Sequence, residues 1–175
     1  MTIRRTFDPA FLNQVVNHAD VRPWLGQDRA SPISMDALIA NFENIALVNE
    51  WGGFVFAKLG PGIYEVHTQF LPAGRGERAV TAARQAARYM FKEAKAEVLL
   101  TDVPEDNSGA LRLALATGFE QLRDRFDDSG ILSGKEQIIH ELEMTRERFF
   151  KASKAWGPDK MASSKDDRSA PCQLH

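Results

Sequence analysis

From Arg75 to Lys95, apolar residues return at steps of three and four: Ala79, Val80, Ala83, Ala86, Ala87, Met90, Phe91 and Ala94. That period predicts one long helix with a single apolar face. The opposite face carries Arg84, Arg88, Lys92 and Lys95 and reads as a solvated basic surface. A helix of this kind must bury its stripe against something, and the flanking sequence supplies a sheet. Before it, the runs Ile45–Val48, Phe54–Ala57 and Ile63–Leu71 are β-rich and are punctuated by Trp51-Gly52-Gly53 and Gly60-Pro61-Gly62. They predict an antiparallel meander. After it come a short apolar strand at Val98–Leu100, a second helix over Asn107–Thr117 stopped by Gly118, and two closing strands. The closing strands run from Phe119 onward and over Glu136–Met144, around a polar turn at Asp127–Gly130. Shorter helices are expected within residues 8–20, opened by Asp8-Pro9, and at Met35–Phe42 and Thr145–Ala155, with a break at Arg22–Gly26. The fold class is α/β, or α+β in older usage.

A chain of 175 residues fits one domain. Residues 1–155 form that domain, and residues 156–175 form a polar Pro/Ser/Lys/Asp-rich tail that needs a neighbouring chain to become ordered. The net charge of −2, from 22 basic and 24 acidic residues, argues against nucleic acid as the main partner. No apolar run approaches membrane-spanning length, and MTIRRTFDPAF is not a secretory leader. The lone Cys172 excludes an internal disulfide and a multi-thiolate zinc site, which makes a reducing, cytoplasmic setting the expectation. No His-rich spacing suggests a metal.

Chemistry concentrates in Glu65–Val80, a strand, a Gly-containing loop and a helix start. A helix opening directly after a strand presents unpaired backbone N–H groups to an anion, and Arg75 and Arg78 add charge there. The same stretch also reads as a tight turn with exposed arginines. On the strand, Glu65, His67 and Gln69 share one face. Glu65 is the first candidate for a general base and His67 the second, against a merely solvated strand face. About thirty residues later, Asn107, Ala110, Leu113 and Gly118-Phe119 read as a capped helix closed by a glycine.

Together these segments resemble the GCN5-related N-acetyltransferase (GNAT) superfamily. Its acetyl-CoA motif, V-x-P-x-x-[RQ]-G-x-G-x-[GA], falls on Phe70 to Val80, and its later motif, N-x-x-A-x-x-L-Y-x-x-x-G-F, on Asn107 to Phe119. The resemblance spans roughly Phe42 to Met144. It implies a mixed, mostly antiparallel central sheet flanked by helices. It also implies acetyl-CoA as cofactor, with Phe70, Leu71, Arg75, Gly76, Arg78, Ala79 and Asn107 contacting it. Backbone N–H groups near Phe70 and Leu71 would polarise the thioester carbonyl, an amine would be the acceptor, and Glu65 would take its proton. Two departures stand out: Arg78 and Val80 replace small residues and crowd the pyrophosphate approach, and Ala114 replaces a proton-donating Tyr. Residues 17–26 and Val66-His67-Thr68 further resemble a phage-associated branch. That branch implies an alternative, a non-catalytic virion or assembly component of the same fold, held to other chains through its tail.

Overall fold

The computed structural model describes residues 2–26, 31–129 and 135–156. Cys172, the end of the Asp127–Gly130 turn and nearly all of the polar tail lie outside the described residues.

Seven strands form one sheet: β1 (Arg4–Thr6), β2 (Ile45–Asn49), β3 (Gly52–Gly60), β4 (Ile63–Phe70), β5 (Val98–Pro104), β6 (Glu120–Asp127) and β7 (Gln137–Thr145). Their spatial order is β1-β2-β3-β4-β5-β7-β6. All neighbours are antiparallel except β4 and β5. The helices are α1 (Ala10–Val16), α2 (Asp36–Ala40), α3 (Glu77–Lys92), α4 (Ser108–Thr117) and α5 (Arg146–Ser153). This is the expected α/β architecture with a mixed, mostly antiparallel sheet.

The parallel pair follows from the connection between its strands. β4 is joined to β5 by α3, and a helical crossover returns the chain in the same direction. The α3 stripe packs on the sheet face that carries Phe54, Phe56, Tyr64 and Phe70, burying Ala79, Ala82, Ala83, Ala86, Ala87, Met90 and Phe91. Five alanines in that stripe let the helix axis approach the strands closely. Phe149 of α5 closes this core against Phe91, with ring centroids 5.2 Å apart. On the opposite face, α1 and α2 cover Ala46, Val48 and Val55 with Leu12, Val16 and Ile39.

Two expectations change. The Gly52-Gly53 pair belongs to β3, and the turn lies just before it. The glycines are needed for close strand approach: a Cβ at Gly52 would sit 2.1 Å from the Gln69 carbonyl oxygen, and one at Gly53 2.3 Å from that of Leu47. Arg84 is not part of a free basic face. It donates to the Ala116 carbonyl at 2.9 Å and lies 4.3 Å over the Trp156 ring, because α4 packs beside α3. The first helix, Ala10–Val16, falls within the expected residues 8–20. Among the described residues, no helix is long and apolar enough to cross a membrane, and no cluster of three or more His, Cys, Asp or Glu could hold a metal.

Candidate active site

The site has two parts, a loop and a cleft. The loop lies between β4 and α3. A short 3-10 turn, Pro72–Gly74, leads to Gly76, which stands before the first helical residue at φ +68° and ψ −137° without any side-chain cap. The first helical bond runs from Val80 N–H to the Gly76 carbonyl at 3.1 Å. The N–H groups of the first turn, at Glu77, Arg78 and Ala79, therefore have no acceptor within the helix. Nothing lies within 4 Å of where a Gly76 Cβ would be, so the approach to these groups is open. The loop rests on Trp51: Leu71 donates its N–H to the Trp51 carbonyl at 2.8 Å, and Gly74 presses on the Trp51 side chain.

That bond corrects one expectation. The Leu71 N–H is committed to Trp51 and cannot polarise a carbonyl in the cleft. The two arginines are also engaged. Arg75 donates to the carbonyls of Asp20 at 2.7 Å and Phe70 at 3.3 Å, which fastens the N-terminal segment to the loop. Arg78 donates to Ala73 at 2.7 Å and stacks 4.6 Å over the Trp51 ring. The crowding expected from Arg78 is therefore relieved, since its side chain folds onto Trp51 and stays cationic beside the α3 N-terminus. Ala79 is buried in the core, so only its backbone can serve a ligand.

The cleft is a consequence of sheet register. β4 and β5 pair only from Ile63 to Glu65 and from Val98 to Leu100. One further tie joins them, from the Thr101 hydroxyl to the Val66 carbonyl at 3.1 Å. Beyond it the strands part. Since Val66 turns its carbonyl toward β5, Thr68 turns its backbone polar groups the same way, into the gap. A cavity of about 350 Å³ occupies this gap. Residues 66–69 of β4 and 101–104 of β5 line it, together with Asn107, Ala110, Leu113 and Ala114 across the mouth. Trp24, Leu25 and Ile33 close it on the α1 side of the sheet. That volume falls at the small end of the range for small-molecule pockets, roughly 300–1,000 Å³.

His67 lines the cavity and Glu65 does not. Glu65 stands behind it, with its carboxylate 3.7 Å from His67 Nε2, and both side chains are partly exposed. Asn107 caps α4, its Oδ1 accepting from Ala110 N–H at 3.1 Å while the residue lines the cavity mouth. Ala114 is buried in the cavity wall and offers no proton. His140 pairs with Asp124 at 2.7 Å, away from the cleft.

Two wall residues had been given no role from sequence. Gln69 is 4% exposed and its Oε1 has no hydrogen-bond partner, which leaves an acceptor beside the cleft. Asp102 presents its carboxylate to Arg125 at 2.7 Å, and Arg125 also holds Glu141 at 2.9 Å. Glu141 is kept below the usual carboxylate range chiefly by the Arg123 hydrogen bond, with the charges of Arg123 and Arg125 adding. Only the parting of β4 from β5 brings these residues to one place.

No family model and no curated protein matches the sequence. Solved structures do match. A variant of spermidine N-acetyltransferase from Vibrio cholerae superposes with a TM-score of 0.69 at 17% identity, over 87% of this chain and 97% of that one. The same organism's enzyme in complex with CoA and spermine gives 0.70 at 15%, over 85% and 97%. A GNAT-family acetyltransferase from Bacillus anthracis gives 0.63 at 18%, over 83% and 94%. At such identities the likeness is one of architecture, and the chain has the fold of the GNAT acetyltransferases.

Proposed function

We propose that this protein is an acyl-CoA-dependent N-acetyltransferase acting on an amine acceptor. The observation that carries the reading is the parting of β4 from β5, which opens a cavity walled by His67 on one face of the sheet and by the α3 alanines on the other. The residues present fit acetyl-CoA. The open N–H groups at Glu77–Ala79, with the Arg78 cation beside them, suit a pyrophosphate. The apolar cleft suits an uncharged arm. When bound, acetyl-CoA supplies an acyl group as a thioester whose leaving group is a thiolate.

The chain's own residues would do the rest. The backbone N–H of Thr68, in the cavity wall, can orient and polarise a carbonyl there. Trp24, Leu25 and Ile33 limit water on the acceptor side. His67, in the wall, would take the proton of the attacking amine, and Glu65 behind it would stabilise the charged imidazole. This exchanges the order given by sequence, where Glu65 stood first. Ala114 itself has no proton to give. A thiol ionises near pH 8.5 when unperturbed, about 1.5 units above neutrality, so a thiolate can leave without one.

Calorimetric titration of the full chain with acetyl-CoA tests the reading. A Kd in the micromolar range, about −8 kcal/mol, supports it. No heat, together with no thermal shift at millimolar ligand, refutes it. The virion or assembly reading and the phage-associated branch gain no support from the neighbours above, which are acetyltransferases. The tail on which the assembly reading rested lies outside the described residues.

A further inference from the structure

Beneath the gap between β4 and β5, the cavity continues under α3 and α4. Its walls there are Phe56 and Leu99 from the sheet, Ala83, Ala86 and Ala87 from α3, and Ala114 from α4. None of these side chains carries a polar atom. Of the three threonines that line the cavity, Thr101 donates to the Val66 carbonyl at 3.1 Å and Thr117 to the Leu113 carbonyl at 2.8 Å, and Thr68 stands exposed at the rim. A water placed against these six side chains would find few of the polar partners that hold buried water.

We propose that the alanines at 83, 86, 87 and 114 set donor specificity by leaving room beneath the thioester for an acyl chain longer than acetyl, of butyryl to hexanoyl size. The inference rests on the acyl-CoA reading and deepens it. A thioester carbonyl held by the Thr68 N–H would stand three residues, roughly 10 Å of strand, short of the last paired rung at Glu65 and Leu100. The chamber fills that interval on the α3 side. Ala83 and Ala87 lie 7 and 11 residues beyond Gly76, roughly 10 and 16 Å along α3, so they wall the inner end of the cleft rather than its phosphate end. A larger side chain at Ala114 would project into this space, which is where the sequence departs from the tyrosine of the GNAT motif. An acetyl group leaves the chamber walls without contacts, and each added methylene restores some of them.

Calorimetry on the full chain with CoA, acetyl-CoA, butyryl-CoA and hexanoyl-CoA tests this. Each methylene that enters should tighten binding about fourfold, the equivalent of about 0.8 kcal/mol. Hexanoyl-CoA should therefore bind at least tenfold more tightly than acetyl-CoA. In Ala114→Leu, which fills the chamber from α4, the ratio of hexanoyl to acetyl affinity should fall toward one; Ala83→Val narrows it independently from α3. A ratio unchanged in a folded variant overturns the role of that residue. If both variants fail to fold, the wild-type series decides alone. Equal affinity for acetyl and hexanoyl, or weaker binding of butyryl than acetyl, overturns the inference and leaves the acyl-CoA reading standing. No binding of CoA in any form overturns both.

Discussion

Replacing Gly74 by alanine tests how the loop between β4 and α3 is held. An added Cβ would fall 2.4 Å from Trp51 Cβ, 3.0 Å from Phe70 Cδ1 and 3.2 Å from Trp51 Cγ. Neither Cβ can rotate away, because each is fixed by its backbone. Carbon atoms rest at roughly 3.5–4.0 Å, so loop and turn must separate by about 1 Å. Two bonds resist that shift, Leu71 N–H to the Trp51 carbonyl at 2.8 Å and Gly74 N–H to the Leu71 carbonyl at 2.9 Å. Overpacking of this kind costs about 1–3 kcal/mol. For a chain of 175 residues, that lowers the Tm by about 2–12 °C. Gly60→Ala is the control: no atom lies within 4 Å and no positive φ is involved, so its Tm should match the wild type. Thermal unfolding followed by circular dichroism reads both. A Gly74→Ala protein that melts with the control would show that Trp51 does not fix the loop.

Gly76→Ala should act differently: its Cβ meets nothing, yet φ +68° with ψ −137° is strained for any side chain by about 1–3 kcal/mol. Relief reorients the first turn of α3, so acetyl-CoA affinity should fall more than stability does; calorimetry beside a melt would show the reverse if the turn is not the anion site. His67→Gln should lower kcat by roughly 10²–10⁴-fold with intact acetyl-CoA binding, and Glu65→Gln by less; a larger loss in Glu65→Gln returns that carboxylate to first place as the base. Arg84→Ala removes the Ala116 bond and the Trp156 stacking, at about 1–3 kcal/mol in urea unfolding; an unchanged midpoint would mean that relief of its buried, unpartnered Nε offsets both contacts. Glu141 is held below its ordinary value of 4.5, so its contribution is present above that pH and is lost as pH falls through the folded value. The stability of Glu141→Gln should therefore decline less steeply below about pH 4.5, and parallel acid limbs in urea titrations would refute the pairing.

Local signals carried into the structure where local physics decides. The 3.6-residue period of α3, the Asn107 cap and the Gly118 stop each depend on residues a few positions away, and each sits where its pattern placed it. β1 was invisible because Arg4-Arg5-Thr6 has no alternating apolar pattern; it is held by its register with residues 46–48 of β2, some forty positions on. Arg84 misled for a related reason. Helical periodicity divides one face from the other, but it cannot show that α4 will cover part of the polar side.

The candidate site divides along the same line. Its loop was legible because the loop and the α3 N-terminus are adjacent in sequence. The cleft was not, because it exists only where β5 stops following β4 past Leu100. That parting explains why Ala114 has two readings. As a member of a motif, it is a lost proton donor. As a wall residue facing Leu99 and the α3 alanines, it is space. A lost donor lowers turnover with acetyl-CoA without changing which acyl-CoA binds best, whereas space moves the preferred chain length. The affinity series over acyl-CoAs therefore separates the two readings without any turnover measurement.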